Sequence, residues 1–169
     1  LPISMAILRR NGIPEGGLGR MEPTVHLRSV DISFAVPGRP PFHAVRGAEL
    51  SVGPGEFVSI VGPTGCGKST LLNAAAGLLT PAAGQVVIEG QPLQGLNRKA
   101  GYLFQADALM PWKTAGDNVA IGLEVAGVPR REAVARAHDW LVRVGLRGFA
   151  DRYPHMLSGG QRKRVALAQ

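Results

Sequence analysis

The spacing of hydrophobic positions changes period partway along the chain. Val30, Ile32, Phe34 and Val36 alternate with polar or small residues, the period-two pattern of a half-buried strand. Pro37-Gly38-Arg39-Pro40-Pro41 then reads as a turn or loop, and Ala44 to Val52 as a second alternating strand. Gly53-Pro54-Gly55 turns the chain again. Phe57 to Val61 is a short, nearly unbroken apolar run, which predicts a buried strand. Ser69 to Leu79 is rich in Leu and Ala and is bracketed by Gly77 and Pro81, so a helix is predicted there. Gln85 to Glu89 and Gly101 to Phe104 read as two further strands.

Beyond Gln105 the period becomes helical. Asn118 to Ala126 and Arg130 to Val144 are predicted helices, separated by Gly127-Val128-Pro129. In the second, Ala133, Ala137, Trp140 and Val144 fall on one face, with Val134 and Leu141 beside them. Trp140 is therefore expected to anchor a helical core. The expected division is a non-native or disordered extension (1–20), an α/β core (21–105), a helical segment (106–157) and the start of a further element (158–169). Met21, just before the first strand, reads as the natural start.

Composition narrows the function classes. The chain has 169 residues, 45% of them hydrophobic, which suits a folded domain with a real core. No apolar run reaches the ~18 residues needed to span a bilayer. The net charge of +7 is compatible with nucleic acid, anionic lipid or an anionic ligand. The basic residues are scattered apart from Arg162-Lys163-Arg164, which reads as a solvated helix face. No aromatic residues interleave with them, so no nucleic-acid partner is expected. Cys66 is the one cysteine and excludes an internal disulfide.

The sharpest chemical signal is Gly62-Pro63-Thr64-Gly65-Cys66-Gly67-Lys68-Ser69, which fits G-x-x-x-x-G-K-[ST] between a predicted strand and a predicted helix. Glycines let the backbone turn its N–H groups inward as an anion nest. The positive end of the following helix adds attraction for phosphate. Lys68 supplies a mobile cation for the β- and γ-phosphates, and Thr70 follows in the same turn. The Ser69 hydroxyl is a hard oxygen ligand suited to Mg²⁺. A second motif, Leu157-Ser158-Gly159-Gly160-Gln161, precedes another predicted helix start. Ser158 can cap that helix, and Gly159 and Gly160 leave backbone N–H groups open to an anion.

Together, Gly62 to Thr70 and Leu157 to Gln161 resemble the Walker A and signature motifs of ABC transporter ATPases. The resemblance covers residues 25 to 169. It implies an α/β fold: a P-loop NTPase core of ABC type, with an antiparallel β part and a small α-helical insert. It identifies Gln105 as the Q-loop glutamine, a ligand of Mg²⁺ and of the attacking water, and with Lys68 a catalytic group. It suggests Phe34 as an adenine-stacking aromatic, although Phe34 can equally be a core strand residue. Met110-Pro111-Trp112 and Tyr153-Pro154-His155 resemble the importer branch for nitrate, sulfonate, taurine and bicarbonate.

The resemblance implies a homodimer of ATPase domains arranged head to tail. Each ATP would lie between one copy's P-loop and the other copy's Ser158, Gly159, Gly160 and Gln161. A transmembrane permease and, indirectly, a solute-binding protein would complete the assembly, with the ATPase peripheral on the cytoplasmic side of the bacterial inner membrane. Leu109, Met110 and Trp112 could form an apolar patch for the permease, or could be buried. The family continues beyond its signature with a strand ending in an Mg²⁺-binding Asp and with a catalytic Glu. No Asp or Glu follows Asp151 here. The expectation is a truncated chain with an incomplete sheet, poor ATP binding and little hydrolysis of its own, and no general base. Two other readings stay open: an ABC-type module acting on nucleic acid or ribosomes, and a non-catalytic nucleotide-binding fragment.

Overall fold

The structure is a computed structural model, and it describes residues 6–10, 22–106 and 108–169. The chain forms two compact units, Leu1–Gly101 and Tyr102–Gln169. In the first, β1 (Ala6–Arg10) pairs antiparallel with β4 (Phe57–Val61). A separate antiparallel sheet has the order β3-β2-β5-β6, from β2 (Val25–Val36), β3 (Arg39–Val52), β5 (Ala83–Ile88) and β6 (Gln91–Pro92). The reading of residues 1–20 as an extension lies outside the described residues except at β1, and Met21 lies outside them too.

The predicted loop after Val36 is shorter than expected. Val36 pairs with Arg39, so only Pro37-Gly38 turns the chain. Proline at the first turn position and a positive φ of 69° at Gly38 suit a type II turn. Pro40 and Pro41 enter β3 because β3 is an edge strand, where a missing N–H costs no ladder bond. Leu27, Val30 and Ile32 of β2 form a fully buried core with Val45, Leu50, Val86 and Ile88. Helix α1 (Lys68–Ala75) lays Leu71 and Ala74 on this core. It stops at Ala75 rather than Leu79. Gly77, at φ 72°, lets Leu78 N–H reach back to Asn73 O at 2.9 Å, closing the helix with a glycine C-terminal motif.

Two strand predictions are corrected. Residues 101–104 lie outside any strand, and no ladder pairing includes them. The apolar run of β4 is not buried on both sides. Val58 and Ile60 pack toward the core, whereas Phe57 is 69% exposed and Val61 is also exposed. Only β1 pairs with β4 among the described residues, so the run behaves as a one-sided strand.

The second unit holds α2 (Ala115–Val125), α3 (Arg130–Arg143), a 3₁₀ turn (Pro154–Met156) and α4 (Gly159–Ala168). Its core gathers Ala115, Val119, Ala133, Ala137, Leu141, Leu146, Leu157 and Val165. Helix α2 starts three residues earlier than predicted, because Thr114 caps it by accepting from Asp117 N at 3.2 Å. The buried face of α3 is Ala133, Ala137 and Leu141. Trp140 is not the core anchor expected. It is exposed, and the Arg143 guanidinium lies over its ring at 4.8 Å, a cation–π contact one turn along the helix.

Candidate functional site: a phosphate loop and a second helix N-terminus

Strand β4 delivers the chain into Gly62–Gly67, and α1 begins at Lys68. Gly67 is the N-cap of α1, with φ 94°, a left-handed conformation that favours glycine. A Cβ there would lie 2.6 Å from Ala44 O on β3, so the loop passes too close to backbone to admit a side chain. Gly65, at φ 82°, has open space on its side-chain side. Cys66 is buried beneath the loop. Lys68 Nζ donates to Gly62 O and Pro63 O at 2.8 Å each, and lies 3.6 Å from Cys66 Sγ. The lysine thus bridges the start of the loop from the first turn of the helix.

No side chain caps α1, and its first turn carries no acidic residue. The helix therefore presents donor N–H groups and a positive dipole end without an internal anion to satisfy them. Ser69 is exposed and Thr70 half-buried in the same turn. Pro63 and Thr64 are exposed on the loop. This donor set fits a polyphosphate. No group of three His, Cys, Asp or Glu among the described residues forms a metal site, so a divalent cation at Ser69 would need further oxygens.

Phe34 is exposed on β2 directly opposite Phe42 on β3, which is more exposed still. This removes the alternative of a core strand residue. Phe42 was not singled out by the sequence, because the Pro-rich stretch before it conceals the strand.

In the second unit, Ser158 is the N-cap of α4 and forms a reciprocal capping box. Ser158 Oγ accepts from Gln161 N at 3.3 Å, and Gln161 Oε1 accepts from Ser158 N at 2.8 Å. Gln161 is thus committed to its own helix. Gly159 and Gly160 follow, and a Cβ at Gly160 would meet nothing within 4 Å, which leaves that backbone open to close approach.

Lys163 and Arg164 are exposed and Arg162 is half-buried, as a solvated helix face requires, yet all three also hydrogen-bond to backbone carbonyls. Arg162 donates to Leu157 O at 2.8 Å, Arg164 to Val144 O at 3.2 Å, and Lys163 to the carbonyl of Gln105. Gln105 is exposed, in a bend outside any helix or strand, and its backbone is tied to the helix that follows the second motif. His155 stacks on Tyr153, with ring centroids 5.9 Å apart.

The segment after Gln105 divides three ways. Leu109 packs on the helical core, Met110 is half-buried, and Trp112 is 73% exposed. Beneath them lies Asn118, fully buried, which the sequence suggested only as a helix start. The signal that places it deeper is Thr114-x-x-Asp117, a capping pattern that moves the helix start upstream. Asp117 accepts from Thr114 Oγ1 at 3.0 Å and from Arg130 at 2.8 Å. Burial raises the pKa of its carboxyl, but the Thr114 and Arg130 hydrogen bonds outweigh this and leave it below the ordinary aspartate value.

Comparison with known proteins matches residues 45–169 to the ABC transporter family model. The taurine import ATP-binding protein TauB of Pseudomonas entomophila is 48% identical over 120 residues, covering 71% of this chain and 46% of that protein. A putative ATP-binding protein of Brucella abortus is 40% identical over 149 residues, covering 88% and 55%. The chain therefore spans about half the length of the curated relatives it matches. Among solved structures, a dimeric ATP-binding cassette in a post-hydrolysis state bound to ADP and Pi superposes with a TM-score of 0.73. It is 31% identical, and the match covers 85% of this chain and 67% of that one.

Proposed function

The chain belongs to the ABC transporter family, and from that premise we propose that it supplies the nucleotide-binding half-sites of an importer ATPase. The observation that carries this is the uncapped N-terminus of α1 beside the Lys68 bridge. Gly62 to Thr70 would wrap the phosphates of ATP, with backbone N–H groups and the helix dipole as the fixed part of the field. Lys68 would move between the loop carbonyls and phosphate oxygens, and Phe34 would support the adenine ring.

Ser69 and Gln105 would offer oxygens to Mg²⁺, which when bound neutralises phosphate charge and polarises the terminal phosphoryl group. Ser158 and the Gly159–Gly160 backbone would meet the same nucleotide from a second copy of the chain, a head-to-tail homodimer. The dimeric cassette bound to ADP and Pi supports this reading, as does the second phosphate-suited helix end on the same chain. Catalysis would then consist of positioning and charge stabilisation by these groups.

Relatives named for taurine import support a small sulfonate as the imported solute. The working assembly would include a transmembrane permease and, through it, a solute-binding protein. No described helix is long and apolar enough to cross a membrane, which suits a peripheral place on the cytoplasmic face. The names of the relatives do not favour a module acting on nucleic acid.

Equilibrium binding of ATP by wild type and Lys68→Met tests the proposal. Wild type binds and the variant binds roughly 10–100-fold more weakly, as expected for a lost charge-assisted contact. Equal affinities would refute it.

A further inference from the structure

The apolar face of the β2–β3 sheet continues past the end of its core. Ile32 is fully buried in one cluster with Leu71 and Ala74 of α1. Phe34 lies two residues further along β2, and strand alternation puts it on the same face. Its cross-strand partner is Phe42 of β3. Directly opposed residues share a face, with Cβ atoms about 5 Å apart. Both rings are exposed, and neither makes a ring contact with another aromatic among the described residues. Two apolar rings thus stand side by side in water on the face that carries the phosphate-loop helix.

Strand β3 is irregular on both sides of Phe42. The register shift between Ile32 and Ser33 leaves Ala44 as an extra residue in β3, and the shift between Phe34 and Val36 leaves another among Pro40 and Pro41. Bulges of this kind re-aim a side chain. Here they keep Phe42 in step with Phe34 while the pairing slips on either side. The first bulge also meets the loop, since a Cβ on Gly67 would lie 2.6 Å from Ala44 O and 3.0 Å from Val45 Cγ2. Phe42 is two residues from that contact, roughly 7 Å of strand. A ribose can bridge such a span between phosphates in the loop and a base on the rings.

We propose that Phe42 is a base-specificity residue: with Phe34 it forms a two-ring platform for the nucleobase, which favours a purine over a pyrimidine. Stacking on an aromatic side chain needs only a π-face, so its strength follows the overlap available. A purine lays two fused rings across two side chains, and a pyrimidine lays one. The inference rests on the nucleotide reading of the loop above and adds to it a second ring and a choice of base.

The 169-residue chain is titrated with ATP, CTP and inorganic triphosphate. Wild type is expected to bind ATP at least about fivefold more tightly than CTP. In Phe42→Ala, ATP affinity falls about tenfold, CTP affinity falls less, and triphosphate affinity holds. Phe42→Ile keeps strand propensity without the ring and behaves as the alanine variant, whereas Phe42→Tyr keeps the ring and behaves as wild type. Equal binding of ATP and CTP by wild type overturns the inference before any variant is made. So does a folded Phe42→Ala or Phe42→Ile with wild-type ATP affinity, or one whose triphosphate affinity falls in step with that for ATP. The loop reading fails by different results: no binding of ATP or triphosphate by wild type, or triphosphate affinity unchanged in Lys68→Met.

Discussion

The N-termini of α1 and α4 are both suited to phosphate, but they are built in opposite ways. At α1 the cap is Gly67, left-handed and without a side chain, and no acid follows in the first turn. At α4 the cap is Ser158, which exchanges hydrogen bonds with Gln161. The first end leaves its donors for a ligand, at the expense of helix stability. The second meets part of its own requirement, and what remains open is the Gly159–Gly160 backbone and the hydroxyl proton of Ser158. A chain with one open and one self-satisfied end should bind phosphate first at the open one. The second end would join once another copy brings it to a nucleotide already held.

The largest effect expected from breaking this contrast is at Gly67. Gly67→Ala forces a left-handed alanine, itself worth about 1–3 kcal/mol, and drives its Cβ against Ala44 O. The unit Leu1–Gly101 should lose several degrees of thermal stability and its ATP binding together, measured by melting and titration. Next is Lys68→Met, with the roughly 10–100-fold loss of ATP affinity stated above and a much smaller fall in melting temperature than Gly67→Ala, from the lost bonds to Gly62 O and Pro63 O. That separation of affinity from stability is what distinguishes a ligand group from a scaffold group.

At the other end, Ser158→Ala should lower the stability of the helical unit by about 1 kcal/mol, the usual worth of a helix cap. ATP affinity of the dilute, monomeric chain should stay the same. A large fall in monomer affinity would erase the proposed division between the two ends.

The smallest effect concerns Asp117. Its folded-state pKa lies below the ordinary value, so its contribution to stability is present above about pH 4 and is lost as pH falls through the folded value. Acid melting of α2 and α3 should show this loss, and Asp117→Asn should flatten it.

Sequence reasoning read the first helix end well because its signals are local. A strand, two positive-φ glycines, a lysine and a helix lie within a few residues of each other. Ser158 was legible as a cap for the same reason, whereas Gln161, expected only at the nucleotide, turns back to bond Ser158 N. What escaped depends on neighbours distant in sequence. The exposure of Phe57 follows from what lies beside β4, and the apolar run carries no mark of that. Trp140 faces outward because Ala133, Ala137 and Leu141 already fill the α3 interface, and Arg143 covers its ring. Periodicity alone could not choose between two adjacent faces of one helix. Asn118 reads as a polar residue at a helix start, and only the carbonyls of Met110 and Lys113 show why it is buried.

The most direct measurement follows the backbone amides of the dilute 169-residue chain as ATP is added. The account predicts chemical-shift changes and slowed exchange at Gly65, Gly67, Lys68, Ser69 and Thr70, with Ser158 to Gln161 unaffected until the concentration permits dimers. Changes appearing first at Ser158 to Gln161, or none at Gly65 to Thr70 at saturating ATP, would contradict it.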